Sequence, residues 1–161
     1  MNICSVTETN ISIYFIYRIR KILKLSARKA HKFFGMKYSS YYKLEKYDHN
    51  LPLETLFFVL YKFNLKLNHL QEVIDLVERN IERNDHLILG WTAEKNAGNE
   101  VIVSNETKKI FDLLAGGTVV DLNDVEHLDE VLGFKTVAEV DELIFNMIKE
   151  SDAYKQIIKN K

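Results

Sequence analysis

SARKAHKFFGMKYSSYYKLEKY, residues Ser26 to Tyr47, decides the fold. Ser26 is a good N-cap for a helix beginning at Ala27. Gly35 tolerates the positive φ that ends a helix or makes a sharp turn. A second short helix then begins at about Tyr38, with Tyr41 and Leu44 spaced i, i+3 on an inner face. In the first helix Ala30, Phe33 and Phe34 are core, and His31 is a packed, hydrogen-bonded histidine rather than a ligand or sensor. Two short helices joined by a glycine turn predict a helix-turn-helix, whose second helix enters the DNA major groove. The charge agrees: ten basic residues stand between Arg18 and Lys46 against one acid, Glu45. Counterion release from the phosphate backbone favours such a surface.

The register from about Ile13 to Leu70 resembles the Cro/CI-type (XRE, lambda-repressor-like) helix-turn-helix family. Arg20 stands where the family has the arginine of its first helix. Ser26 is the serine before helix 2, Gly35 the turn glycine, and Glu45 the glutamate ending helix 3. NLPLETL, residues 50–56, resembles the loop into helix 4, and FNLKLNHL, residues 63–70, the entry to helix 5. The chain departs at Ala27, where Gln is usual, at Ala30-His31, where Leu-Ala is usual, at Tyr47, where Gly is usual, and at Pro52, one residue late. The resemblance implies an Arg20–Glu45 ion pair tying helix 1 to the end of helix 3. It implies that Tyr38, Ser39 and Lys43 reach base edges, with Tyr42 beside them. Lys43 suits guanine O6/N7. Arg28, Lys29, Lys32, Lys37, Ser40 and Lys46 are the phosphate candidates.

Outward from this stretch, residues 1–11 read as a loose polar tail. Helix 1 runs from about Ser12 to Lys24, with Ile16, Ile19 and Leu23 on one stripe. Tyr14, Phe15 and Ile22 fall partly outside it and suggest packing onto a second domain or subunit. Residues 53–63 (LETLFFVLYKF) are apolar on most sides and predict the core helix of this unit. Helix 5, about Leu67 to Arg83, buries Leu70, Val73, Ile74 and Val77. A boundary near Arg83-Asn84-Asp85 closes a five-helix domain over 12–84. Residues 85–161 predict a small, mostly helical domain with a β-hairpin, formed by His86–Thr92 and Glu100–Ser104 about the turn Lys95–Asn99. A helix Thr107–Ala115 stops at Gly116-Gly117. The next is Asp121–Leu132, capped by Gly133, and a last long helix follows from Thr136. The fold class is thus mainly α.

The net charge of −1 hides an asymmetry. Residues 1–84 carry fourteen Lys/Arg and eight Asp/Glu, net +6; residues 85–161 carry eight and fifteen, net −7. DNA should meet only the basic half, leaving the acidic half for dimerisation, an effector or a protein partner. The single cysteine, Cys4, excludes an internal disulfide and a cysteine-based zinc site, and suits a reducing cytoplasm. No apolar run spans a membrane. Asp121, Asp124, Glu126, Asp129 and Glu130, with His127, read as a solvated acidic face rather than a metal or acid–base site. Nothing arranges a nucleophile, a phosphate loop or a cofactor site, so an enzyme is not expected. The expectation is a homodimeric, sequence-specific regulator of transcription, a repressor, on double-stranded DNA. Two rivals fit the same residues. One is an antitoxin and the other a phage-type inhibitor of a host defence nuclease, each binding a protein through residues 85–161 while the basic unit autoregulates.

Overall fold

The computed structural model describes residues 3–6, 8–46, 50–83, 118–121 and 128–160. In order these form β1 (Ile3–Val6), α1 (Glu8–Ile22), α2 (Ala27–Phe33), α3 (Tyr38–Glu45), α4 (Leu53–Lys62), α5 (Leu67–Arg83), β2 (Thr118–Asp121), α6 (Leu128–Ile148) and α7 (Asp152–Lys159). The fold is mainly helical, and the five helices expected before residue 84 all form within a few residues of their predicted ends.

α1 is the helix around which the others pack. It is apolar nearly all round, and Ile11, Tyr14, Phe15, Ile16 and Ile19 are buried, as such a helix must be. α3, α5 and α6 all lie against it. A single buried cluster joins these side chains to Phe34, Leu44, Val59, Phe63, Val73 and Val77, and to Leu128, Leu132, Val140, Ile144 and Ile148 of α6. Each large apolar side chain so buried contributes about 1.5–3 kcal/mol. The described part of the expected second unit, 85–161, therefore shares its core with the first rather than having one of its own. Tyr14, one of the residues expected to pack outside the first unit, meets Asp129 of α6.

The N-terminus differs from the predicted loose tail. Ile3–Val6 pairs antiparallel with Thr118–Asp121, Ile3 opposite Asp121 and Val6 opposite Thr118. α1 starts at Glu8, not Ser12: Glu8 and Thr9 are exposed, and the Ser12 hydroxyl donates to the Glu8 carbonyl at 2.7 Å. The same pairing corrects the helix predicted over Asp121–Leu132. Asp121 is a strand residue, and the helix begins at Leu128. Local periodicity carried no sign of a strand partner over a hundred residues away. Gly133, at φ +79°, interrupts α6 where a cap was expected. The last long helix expected from Thr136 is divided: Ser151 Oγ accepts from Tyr154 N at 3.2 Å as the N-cap of α7. The predicted hairpin over 86–104, the helix Thr107–Ala115 and Tyr47 lie outside the described residues.

α4, expected as the core helix because it is apolar on most sides, buries only one of them. Leu56, Val59 and Leu60 are buried, but Leu53, Phe57, Phe58 and Tyr61 face outward. An α-helix on the rim of a small core has one side to bury, whatever its composition.

α1, α2 and α4 end alike. Leu25 N donates to Arg20 O and Lys24 N to Lys21 O; Met36 N donates to His31 O and Gly35 N to Lys32 O; Leu65 N donates to Leu60 O and Asn64 N to Tyr61 O. Each is a Schellman motif with a left-handed residue at its pivot: Lys24 at φ 55°, Gly35 at 70° and Asn64 at 58°. These reversals hold α1–α5 in a short-looped arrangement and aim α3.

Candidate nucleic-acid interface

The candidate surface is built on α2, the turn at Gly35 and α3. Ser26 has the extended backbone of an N-cap, and its hydroxyl accepts from Lys29 N at 3.4 Å. Ala30 and Phe34 are buried and Phe33 is half-buried, its ring 3.8 Å beneath the Lys62 ammonium, which also donates to the Phe33 carbonyl at 3.1 Å. Burial lowers the pKa of Lys62. Tyr41 and Leu44 turn α3 inward, as their spacing predicts, and both are buried.

That inward face leaves Tyr38, Ser39, Tyr42 and Lys43 exposed on one side of α3. The rings of Tyr38 and Tyr42 lie 6.4 Å apart, and the Lys46 ammonium stands 5.9 Å over Tyr42. Arg28, Lys29, Lys32 and Lys37 are exposed, while Ser40 and Lys46 are half-buried. The four base-reading candidates thus share one surface, and the six phosphate candidates lie on the same two helices or at their caps.

Of the ten basic residues between 18 and 46, two are held inside. Arg20 donates from Nε to Glu45 Oε1 at 2.6 Å and from Nη2 to Glu45 Oε2 at 3.0 Å. It also donates from Nη1 to the Leu25 carbonyl at 3.0 Å. One guanidinium therefore holds the end of α3, the loop into α2 and α1 together, and both side chains are nearly nine-tenths buried. Burial works against the Arg20 charge, and the hydrogen bond and charge of Glu45 override it, so its pKa is raised. The planar guanidinium suits this two-point contact in a way lysine does not. The Tyr41 hydroxyl is buried alongside, near enough to feel Glu45 but outside hydrogen-bond geometry with any described residue. Burial, then the Glu45 charge, pushes its pKa up.

Arg18 was missed as a structural residue. It donates from Nε and Nη2 to Asp141 at 2.8 and 2.6 Å, and from Nη1 to Asp129 Oδ2 at 2.8 Å. The Tyr14 hydroxyl donates to Asp129 Oδ1 at 2.5 Å. Burial, then the negative Asp129, raises the pKa of Tyr14, and the same two causes push Tyr17 up to about 12. Asp129 is therefore not part of a solvated acidic face; it turns inward to α1. A signal existed. Tyr14 and Arg18 stand four apart beside Ile11 and Phe15, and a charge on an apolar helix face needs a buried partner.

Among the described residues no group of His, Cys, Asp and Glu could hold a metal ion, and no helix is long and apolar enough to cross a membrane. Comparison of the chain with family models, with curated proteins and with solved structures gives no match.

Proposed function

We propose that this chain is a sequence-specific DNA-binding regulator of transcription, a repressor, acting as a homodimer on an inverted repeat. One observation carries the reading. An outward row of Tyr38, Ser39, Tyr42 and Lys43 lies among exposed cations on a short helix whose far end is clamped by the Arg20–Glu45 pair. Base reading needs donors held at fixed positions, and phosphate contacts around them set the register. In this reading α3 lies in the major groove. Lys43 donates to guanine O6/N7, and Tyr38 and Tyr42 offer a hydroxyl or a ring to thymine methyls, with Ser39 adaptable. Arg28, Lys29, Lys32, Lys37, Ser40 and Lys46 take phosphates on either side. A single such helix reads only a few base pairs, so a two-fold dimer is required.

The test separates the two classes of contact. The probe is a duplex selected by the chain from a randomised library, against a scrambled duplex of the same composition. Lys43→Ala and Tyr38→Ala should each cost about 1–3 kcal/mol on the selected site and little on the scrambled one. Lys29→Ala should weaken both alike. Equal losses on both duplexes for Lys43→Ala would remove its base-reading role.

A second reading, an antitoxin or phage-type inhibitor, is favoured by the groove between α5 and α6. It is lined by Glu72, Asp75, Glu139 and Glu142 with one cation, Arg79, a surface that suits a basic protein.

A further inference from the structure

We propose that His31 is a positioning residue for recognition: it clips the turn before α3 and sets the ring of Tyr38, and so controls discrimination between DNA sequences without touching a base. The inference rests on the DNA-reading proposal above and adds to it a residue on the other helix.

His31 and Met36 are joined twice. Met36 N–H donates to the His31 carbonyl at 2.8 Å, closing the Schellman turn. The His31 ring returns the contact, its Nδ1 lying 2.8 Å from the Met36 carbonyl oxygen. A carbonyl only accepts, so Nδ1 carries the proton and the ring is fixed in one tautomer when neutral. The clip sits where α3 lacks a side-chain cap: Lys37, its N-cap, makes no side-chain capping bond. The entry to α3 is therefore held from α2, through His31, while its exit is held from α1, through Arg20.

The same ring meets the first residue of the reading face. The His31 and Tyr38 rings meet edge to face, 5.5 Å between centroids at 65°. The contact passes on to Tyr42 and then to Lys46. His31, Tyr38, Tyr42 and Lys46 make a ladder along α2 and α3, and its first rung is tied to backbone at the Met36 carbonyl. Tyr38 is 41% exposed, and its ring is held on two sides, by Tyr42 of its own helix and by the His31 edge from α2. A recognition group held to within about 0.5 Å discriminates, and one that swings does not. His31 is half-buried on α2, set back from the row of base candidates, so it acts through Tyr38 and the turn.

Two substitutions separate its two contacts. His31→Asn places an amide nitrogen where Nδ1 was and keeps the bond to Met36, but removes the ring. His31→Phe keeps the ring edge and removes the donor. The readout is the ratio of affinities for the selected and scrambled duplexes, in the wild-type and Tyr38→Ala backgrounds, with the melting midpoint followed alongside. Each variant should lower the ratio about fivefold while leaving the scrambled duplex bound as before. In the Tyr38→Ala background His31→Asn should cost nothing further, because it acts only through that ring, whereas the loss from His31→Phe should persist. Should the Phe variant fail to fold, the Asn variant carries the test alone. Unchanged ratios, equal losses on both duplexes, or a full additional loss for His31→Asn without Tyr38 would overturn the inference alone. A wild-type chain that selects no duplex would overturn the DNA reading and this inference with it.

Discussion

Arg18 and Arg20 stand two residues apart on α1 and hold different parts of the molecule. Side chains so spaced on a helix diverge by roughly 200°. Arg20 reaches Glu45, twenty-five residues on, and locks the end of α3. Arg18 reaches Asp129 and Asp141, 111 and 123 residues on, and locks α6 onto α1. The chemistry is the same in both: a guanidinium against carboxylates at 2.6–3.0 Å, about one-tenth exposed on the arginine side. What differs is the job. The Arg20 pair sets the aim of the candidate reading helix within a short stretch of chain. The Arg18 pairs make the acidic helix α6 part of the same body. α1 thus carries both the tie to α6 and the clamp on α3.

The comparison can be broken from either side. The largest effect is expected at Arg18. Arg18→Met leaves two carboxylates and the Tyr14 hydroxyl without their cation and should cost about 3–5 kcal/mol in urea unfolding. A loss under about 1 kcal/mol would mean that Asp129 and Asp141 are hydrated well enough to need no partner. Arg20→Met strands a single carboxylate and should cost about 2–3 kcal/mol. Unlike Arg18→Met it should also lower the preference for the selected duplex, and equal effects of the two variants on that preference would erase the distinction drawn here. Lys24→Gly acts on the loop that Arg20 caps. It relieves a left-handed residue and should stabilise by about 0.5 kcal/mol; destabilisation would show that the Lys24 side chain matters more than its backbone. Smallest is Tyr41→Phe beside the Arg20–Glu45 pair, expected within about 0.5 kcal/mol of zero, since its hydroxyl bonds none of the described residues. A cost above 1 kcal/mol would show that the hydroxyl does bond Glu45.

The two arginines also mark how far the sequence could be read. The approximate spans of α2–α5 were legible because their signals are local: Ser26 as a cap, Gly35 as a pivot, apolar spacings of three and four. The Arg20–Glu45 pair was legible from the register of that whole stretch. Arg18 sat on an apolar face and needed an acid, but residues 85–161 offer fifteen, and nothing local chooses among them. The pivots at Lys24 and Asn64 were hidden, since neither side chain announces a positive φ as Gly35 does. β1 and the start of α6 were misread for a common reason. Strand pairing is decided by a distant partner, so a short apolar run in a polar tail looks like tail, and the strand at Asp121 looks like the first turn of a helix. α4 shows the opposite limit: composition overstated burial, because a helix at the rim has one side to bury.

The central claim is that the face carrying Tyr38, Ser39, Tyr42 and Lys43 reads duplex DNA. The measurement that tests it most directly is fluorescence anisotropy of the full chain on its selected duplex and on the scrambled one, across a salt series. The account predicts tight binding to the first, weaker by about a thousandfold or more on the second, with log K falling against log salt at a slope steeper than about −4. Weak binding that is blind to sequence would contradict it and would turn attention to the acidic groove of α5 and α6.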